Sequence, residues 1–175
     1  MAVLGSGIVV DPQAADVGRL IASLGFDLLT GAGGGVMEAV SRAFYESSSR
    51  RGIVIGIVPA DVRPIEQLEA RQAGAVEYVL KPGYPNEWVE LAVYTHLPDS
   101  GEKGTLRSSR NHINVLSADA IVALPGRHGT ESEVWLAMQY GVPLIAFGEH
   151  EAVPEGVRFA ASLDEIARFL SMLSR

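Results

Sequence analysis

Three short segments carry the residue types from which an anion site is built. They are Gly5-Ser6-Gly7, Thr30-Gly31-Ala32-Gly33-Gly34-Gly35 and Pro125-Gly126-Arg127-His128-Gly129-Thr130, and each follows a short apolar run. Glycine permits φ > 0 and lets the backbone approach a ligand closely. Successive N–H groups in such a turn form a concave nest, and a helix starting there adds the positive end of its dipole. A phosphate or another small anion suits that arrangement. The chain holds 19 glycines in 175 residues, and eight of them fall in these three turns. No low-complexity stretch accounts for the excess.

The polar residues beside these turns set the chemistry further. Thr130-Glu131-Ser132-Glu133 stands at the start of a helical pattern. Thr130 as N-cap with Glu133 three residues later is a capping box, and capping alone would justify the pair. In a second reading the Thr130 hydroxyl and the helix amides face a phosphate while Glu133 points into the cleft. Arg107 and Arg110 are spaced to share a helix face, either as a solvated basic face or as a phosphate-binding one. Two familiar motifs are absent. A P-loop needs Lys-Ser or Lys-Thr after its last glycine, and Val36-Met37 follows here. A dinucleotide fingerprint needs an acid at the end of the second strand, where this chain has Thr30. The four histidines are scattered without metal-ligand spacing. There is no cysteine, so thiolate metal sites, disulfides and a cysteine nucleophile are excluded.

The elements that must hold these residues alternate in type. Apolar runs at Ala2–Leu4, Phe26–Thr30, Gly52–Val58, Ala75–Leu80, Trp88–Tyr94, Ala120–Leu124 and Pro143–Phe147 read as strands. Helical periodicity marks Pro12–Leu24, Gly35–Ser48, Leu106–Leu116, Thr130–Tyr140 and Ser162–Leu173. Strands separated by helices imply βαβ units and a parallel sheet. The expectation is an α/β fold: a single Rossmann-like doubly wound domain over residues 1–175, with a mainly parallel sheet. In such sheets ligands bind beyond the carboxyl ends of the strands, where all three glycine turns fall.

Composition bounds the partners. The chain is 47% hydrophobic and 20% charged, with a net charge of −7 and a pI near 5.1. That opposes non-specific binding to nucleic acid or to an anionic membrane. The N-terminus has no signal-peptide pattern and no stretch is long and apolar enough for a transmembrane helix. A cytoplasmic location is expected.

The segments Gly33-Gly34-Gly35-Val36-Met37-Glu38-Ala39-Val40-Ser41-Arg42 and Pro125-Gly126-Arg127-His128-Gly129-Thr130-Glu131-Ser132-Glu133 resemble the two signature segments of the LOG-like family. Its members often carry a lysine decarboxylase label, and they include cytokinin riboside 5′-monophosphate phosphoribohydrolases and molybdenum cofactor carrier proteins. The match in order and spacing runs from about residue 2 to 148. The resemblance implies a Rossmann-like sheet and a homodimer or higher homo-oligomer. It places nucleotide phosphate binding on Gly33, Gly34, Gly35, Gly126, Gly129 and Thr130, with Ser6 near the ligand. It assigns catalysis, where the family has it, to Arg110 and Glu133. No resident cofactor or metal is required; the bound molecule would be a nucleoside monophosphate or the molybdenum cofactor.

Two departures matter. Arg127 replaces a motif glycine, although an arginine can itself bind phosphate. Arg107-Ser108-Ser109-Arg110-Asn111 stands where the phosphoribohydrolases have a pattern like Met-His-Glu-Arg-Lys. Arg110-Asn111, with Gly34-Gly35-Val36-Met37-Glu38-Ala39-Val40, looks more like the cofactor-carrier branch. The decarboxylase label finds no support, because neither Lys81 nor Lys103 falls in the glycine motifs as a Schiff-base lysine would have to. The expected function is binding of a phosphate-bearing nucleotide or pterin-type cofactor. The alternative is a phosphoribohydrolase that cleaves the N-glycosidic bond of a nucleoside 5′-monophosphate.

Overall fold

The computed structural model describes residues 1–62, 78–151 and 153–173. Its strands are β1 (Ala2–Leu4), β2 (Leu28–Thr30), β3 (Val54–Val62), β4 (Tyr78–Leu80), β5 (Leu91–Thr95), β6 (Ile121–Ala123), β7 (Leu144–Phe147) and β8 (Phe159–Ala160). The helices are α1 (Ala14–Ser23), α2 (Val36–Tyr45), α3 (Asn111–Leu116), α4 (His128–Tyr140) and α5 (Leu163–Ser171), with a 3-10 turn at Gly101–Lys103.

The strands form a mostly parallel sheet. Starting from β1, the sheet grows through β2 and β3 to β5 on one side, and through β6, β7 and β8 on the other. Among the described residues only β4 is antiparallel, against the far end of β3. The chain completes the first side before crossing to the second. The order therefore reverses between β1 and β6, and a crevice opens there beyond the strand ends. Ala2 pairs with both Leu29 and Ile121 in parallel register. That pairing brings the turns after β2, β1 and β6 side by side along one edge.

Helices cover both faces, and the two-residue strand period divides the core between them. Val3, Leu28, Val54, Val122 and Ile145 face α1, α2 and α5, where Ile21, Phe44, Ile166 and Leu170 are fully buried. Ala2, Leu4, Leu29, Ile57 and Ile121 face α3 and α4, against Val115, Leu136 and Ala137. At α5 the Ser162 hydroxyl accepts from Glu165 N, an N-cap that fixes the start of the last helix. Among the described residues no helix is long and apolar enough to cross a membrane.

Several boundaries differ from the sequence reading. The strand expected at Trp88 begins at Leu91, because Asn86 Oδ1 accepts from Trp88 N and holds the preceding residues in a turn. The strand expected over Ala75–Leu80 is seen as Tyr78–Leu80, and residues 75–77 lie outside the described residues. The helix expected from Leu106 starts only at Asn111. Ser109 Oγ accepts from Asn111 N and Ser108 Oγ donates to Asp99. Serine side chains thus occupy the backbone and loop groups that a longer helix would need. As a result Arg107 is exposed while Arg110 is buried, and the two do not share a face.

Candidate functional site

The crevice between β1 and β6 opens into a cleft of about 350 Å³, within the range of small-molecule sites. Its walls come from the turn after β1 (Gly5, Ser6, Gly7), from Gly31 after β2, and from Arg110, Asn111 and Asn114 at the start of α3. Arg127, Gly129, Thr130 and Glu133 of the β6–α4 segment complete it, with Met37 and Tyr84.

The turn after β1 is tied down by its own serine. Ser6 N donates to Pro125 O at 3.1 Å, and Ser6 Oγ accepts from Ile8 N at 3.2 Å and Val9 N at 2.9 Å. Ser6 O accepts from Val36 N, the first amide of α2, at 2.8 Å. The second glycine turn packs against this loop. Gly35 adopts φ +62 with its α-carbon against Ser6 O, so a β-carbon there would strike that carbonyl. A β-carbon on Gly33 would lie 2.8 Å from the Tyr84 hydroxyl, and Gly33 O accepts from Asn86 Nδ2 at 2.9 Å. Gly33, Gly34 and Gly35 do not line the cleft; Gly31, two residues earlier, does.

The β6–α4 turn is built differently. Helix α4 begins at His128, two residues before the expected start, with Arg127 as N-cap and no side-chain cap bond. Thr130 therefore lies inside the first turn, and the expected capping box with Glu133 is not formed. Gly126 leaves room for the Thr130 hydroxyl, which a β-carbon would overlap. The amides of His128, Gly129 and Thr130 find no acceptor among the described residues. Such a helix N-terminus attracts anions. Gly126 itself lines a separate depression with Arg127 and His128. Arg127 is exposed and lines the cleft without filling it.

Two buried ionisable groups face each other across the cleft. Arg110 is 9% exposed. Its Nη1 donates to Gly31 O at 2.8 Å and to Ile57 O at 2.9 Å. Its Nη2 donates to the Tyr84 hydroxyl at 3.2 Å, and the guanidinium lies 5.2 Å from the Tyr84 ring centre. A carbonyl just after β2 and one within β3 thus hold this cation, leaving N–H donors for a ligand. Glu133 is 8% exposed, and its Oε1 accepts from Asn114 Nδ2 at 2.7 Å. Burial pushes the Glu133 carboxyl up to about 7, against the opposing pull of the Asn114 bond and the Arg110 charge. A carboxyl near neutrality beside a fixed cation can exchange a proton or accept a hydrogen bond from a ligand.

The structure thus brings Ser6, Arg110, Gly129, Thr130 and Glu133 to one cleft, and leaves Gly33–Gly35 and Gly126 behind its walls. Sequence reasoning passed over Asn114 and Tyr84. Asn114 had a signal in its spacing four residues after Arg110, but Tyr84 had none, since it arrives from the β4–β5 connection. A second cavity, of about 420 Å³, lies at the opposite ends of the strands, lined by Met1, Phe26, Asp27, Ile55, Val93 and Asp119. The carboxylates of Asp27 and Asp119 on its wall oppose an anion.

A family model, the SLOG cluster4 family, matches residues 1–168. A molybdenum cofactor binding protein from Rippkaea orientalis is 25% identical, with a TM-score of 0.70 over 99% of this chain and 96% of that one. A Moco carrier protein from Chlamydomonas reinhardtii is also 25% identical, with a TM-score of 0.67 over 98% and 94%. An uncharacterised protein of Archaeoglobus fulgidus is 29% identical over 153 residues, which is 87% of this chain and 80% of the relative.

Proposed function

The chain belongs to the SLOG cluster4 family, and from that premise we propose that it binds a phosphate-bearing nucleotide or pterin-type cofactor without breaking it. The observation that carries this reading is the pairing of Arg110 with the open start of α4. Among the described residues a buried guanidinium is held by neutral acceptors, and two amides without an acceptor, those of Gly129 and Thr130, stand on the same cleft. Both supply donors that an anion would satisfy. The likeness to proteins that bind or carry the molybdenum cofactor supports a carrier role. A metal travelling with such a ligand would be cargo, held through the ligand's phosphate and ring.

We read the chain as one binding domain, acting in the cytoplasm as a homodimer or larger homo-oligomer. The net charge of −7 supports a small anion rather than a nucleic acid as partner. The direct test is calorimetric titration with AMP, GMP and ribose 5-phosphate. Saturable binding that disappears in Arg110→Met is the expected result. No binding of any of the three would overturn the reading.

One observation favours a second reading, a phosphoribohydrolase. Glu133 has its carboxyl near 7 beside Arg110, which suits general acid–base work on an N-glycosidic bond. There Glu133 would activate water or stabilise charge on the sugar, and Arg110 would position the phosphate or ribose. Incubation with AMP and related monophosphates distinguishes the two. Free base and ribose 5-phosphate released by wild type, but not by Glu133→Ala, would replace the carrier reading.

A further inference from the structure

The two oxygens of Glu133 differ. Oε1 is taken by Asn114 Nδ2 at 2.7 Å. Oε2 has no donor among the described residues, and it is not among the buried atoms that lack a partner, so it keeps its opening to the cleft. Arg110 does not satisfy it, because the recorded bonds of that guanidinium run to Gly31 O, Ile57 O and the Tyr84 hydroxyl. The orientation of the Asn114 amide is set by the one bond to Glu133, since its own Oδ1 is buried without a partner. Ile8, Met37 and Tyr84 add apolar and aromatic surface to the same cleft. The cleft therefore offers donors for an anion, apolar wall for a ring, and one carboxylate oxygen that can only accept.

We propose that Glu133 is the specificity-determining residue of this site, with Oε2 reading the N–H donor edge of a 2-amino-4-oxopyrimidine ring, the edge shared by guanine and pterin. This deepens the phosphate-ligand reading above and rests on it. Such a ring presents adjacent ring and amino N–H groups, and the two lone pairs of Oε2 can accept from both. Adenine presents a ring acceptor in the corresponding place, which would face the carboxylate unpaired. A site built to pair a polar group discriminates strongly against a ligand that leaves that group unpaired. Asn114 is a positioning residue here: by occupying Oε1 it turns Oε2 to the ligand.

The test is binding of GMP, IMP, AMP, ribose 5-phosphate and a phosphorylated pterin at pH 8, with nucleotide integrity checked by chromatography. GMP should bind more tightly than IMP, which keeps one of the two donors, and at least tenfold more tightly than AMP. The phosphorylated pterin should also exceed AMP tenfold, and its rank against GMP identifies which ring the cleft favours. In Glu133→Gln the Asn114 bond holds the amide oxygen and leaves the Gln N–H groups facing the ligand. The preference should then invert towards AMP. In Asn114→Ala it should shrink. Equal affinities for all five ligands in wild type would overturn this inference and leave phosphate binding standing. Failure of every ligand, ribose 5-phosphate included, would overturn both. The wild-type series needs no variant to fold.

Discussion

The β2–α2 and β6–α4 turns look alike as sequence and are packed differently. Each is a glycine-rich link from a buried parallel strand to a helix. The first is closed by neighbours: Ser6 O takes the leading amide of α2 and presses on Gly35, while Asn86 holds Gly33 O. The second is more open: a β-carbon on Gly129 would meet nothing nearer than Gly101 at 3.9 Å, and Gly129 and Thr130 line the cleft. The difference lies in what reaches each turn from elsewhere. A glycine run serves packing where another backbone occupies the space it leaves, and can serve binding where that space stays empty. Arg110 joins the two, anchored on Gly31 O of the closed turn while it faces the open one.

This contrast can be broken by experiment, most strongly at Gly35. Gly35→Ala places a β-carbon at φ +62 against Ser6 O. Left-handed strain plus the clash should cost about 3 kcal/mol, read as a large fall in Tm or loss of soluble protein. A Gly35→Ala protein as stable as wild type would show that the first turn is not closed. The matching change in the open turn, Gly129→Ala, has only Gly101 nearby, at 3.9 Å. It should leave Tm unchanged or raise it slightly, while weakening phosphate-ligand affinity.

Glu133→Gln sharpens the same comparison through pH. The Glu133 carboxyl rises from 4.5 to about 7 on folding, so between these values the folded chain holds a proton that the unfolded chain has released. Stability then falls as pH rises through that window, by about 3 kcal/mol in all. Replacing the carboxyl removes the dependence. Glu133→Gln should therefore gain Tm relative to wild type at pH 8 and lose that gain near pH 4.5. An equal difference at both pH values would contradict a carboxyl whose proton affinity is raised by burial.

Arg110→Lys keeps a charge but cannot reproduce the planar fork that reaches Gly31 O and Ile57 O together. Phosphate-ligand affinity should drop at least tenfold in titration, with a Tm loss of about 1–2 kcal/mol equivalent from the stranded carbonyls. The smallest effect is expected at Arg127, which is exposed on the rim. Arg127→Gly should change stability by less than about 0.5 kcal/mol and affinity by a few-fold. That affinity change should shrink as salt is raised, because an exposed charge is screened.

Much of this was legible in residue order. The apolar runs at Ala2–Leu4, Phe26–Thr30 and Ala120–Leu124 announced strands. The helices α1, α2 and α5 followed from their apolar spacing. Arg110 and Glu133 stood out by type and by family resemblance. Three things were not legible. The Thr130–Glu133 spacing suggested a capping box, yet α4 starts at His128 and both side chains turn to the interior. Arg107 and Arg110 looked like one face, until the serine-rich turn before α3 separated them. The Gly33–Gly35 run looked like the phosphate cradle, yet Ser6, Tyr84 and Asn86 lie against it.

Local sequence by itself determined the α/β class, the alternation of strands and helices, and the glycine turns that follow the strands, because hydrophobic period and turn chemistry act over a few residues. Only the tertiary structure decided which glycine turn stays open and which carboxylate oxygen is free. Those outcomes depend on Tyr84, Asn114 and the Ser6 carbonyl arriving from distant parts of the chain, and no local pattern encodes the space that remains once they have packed.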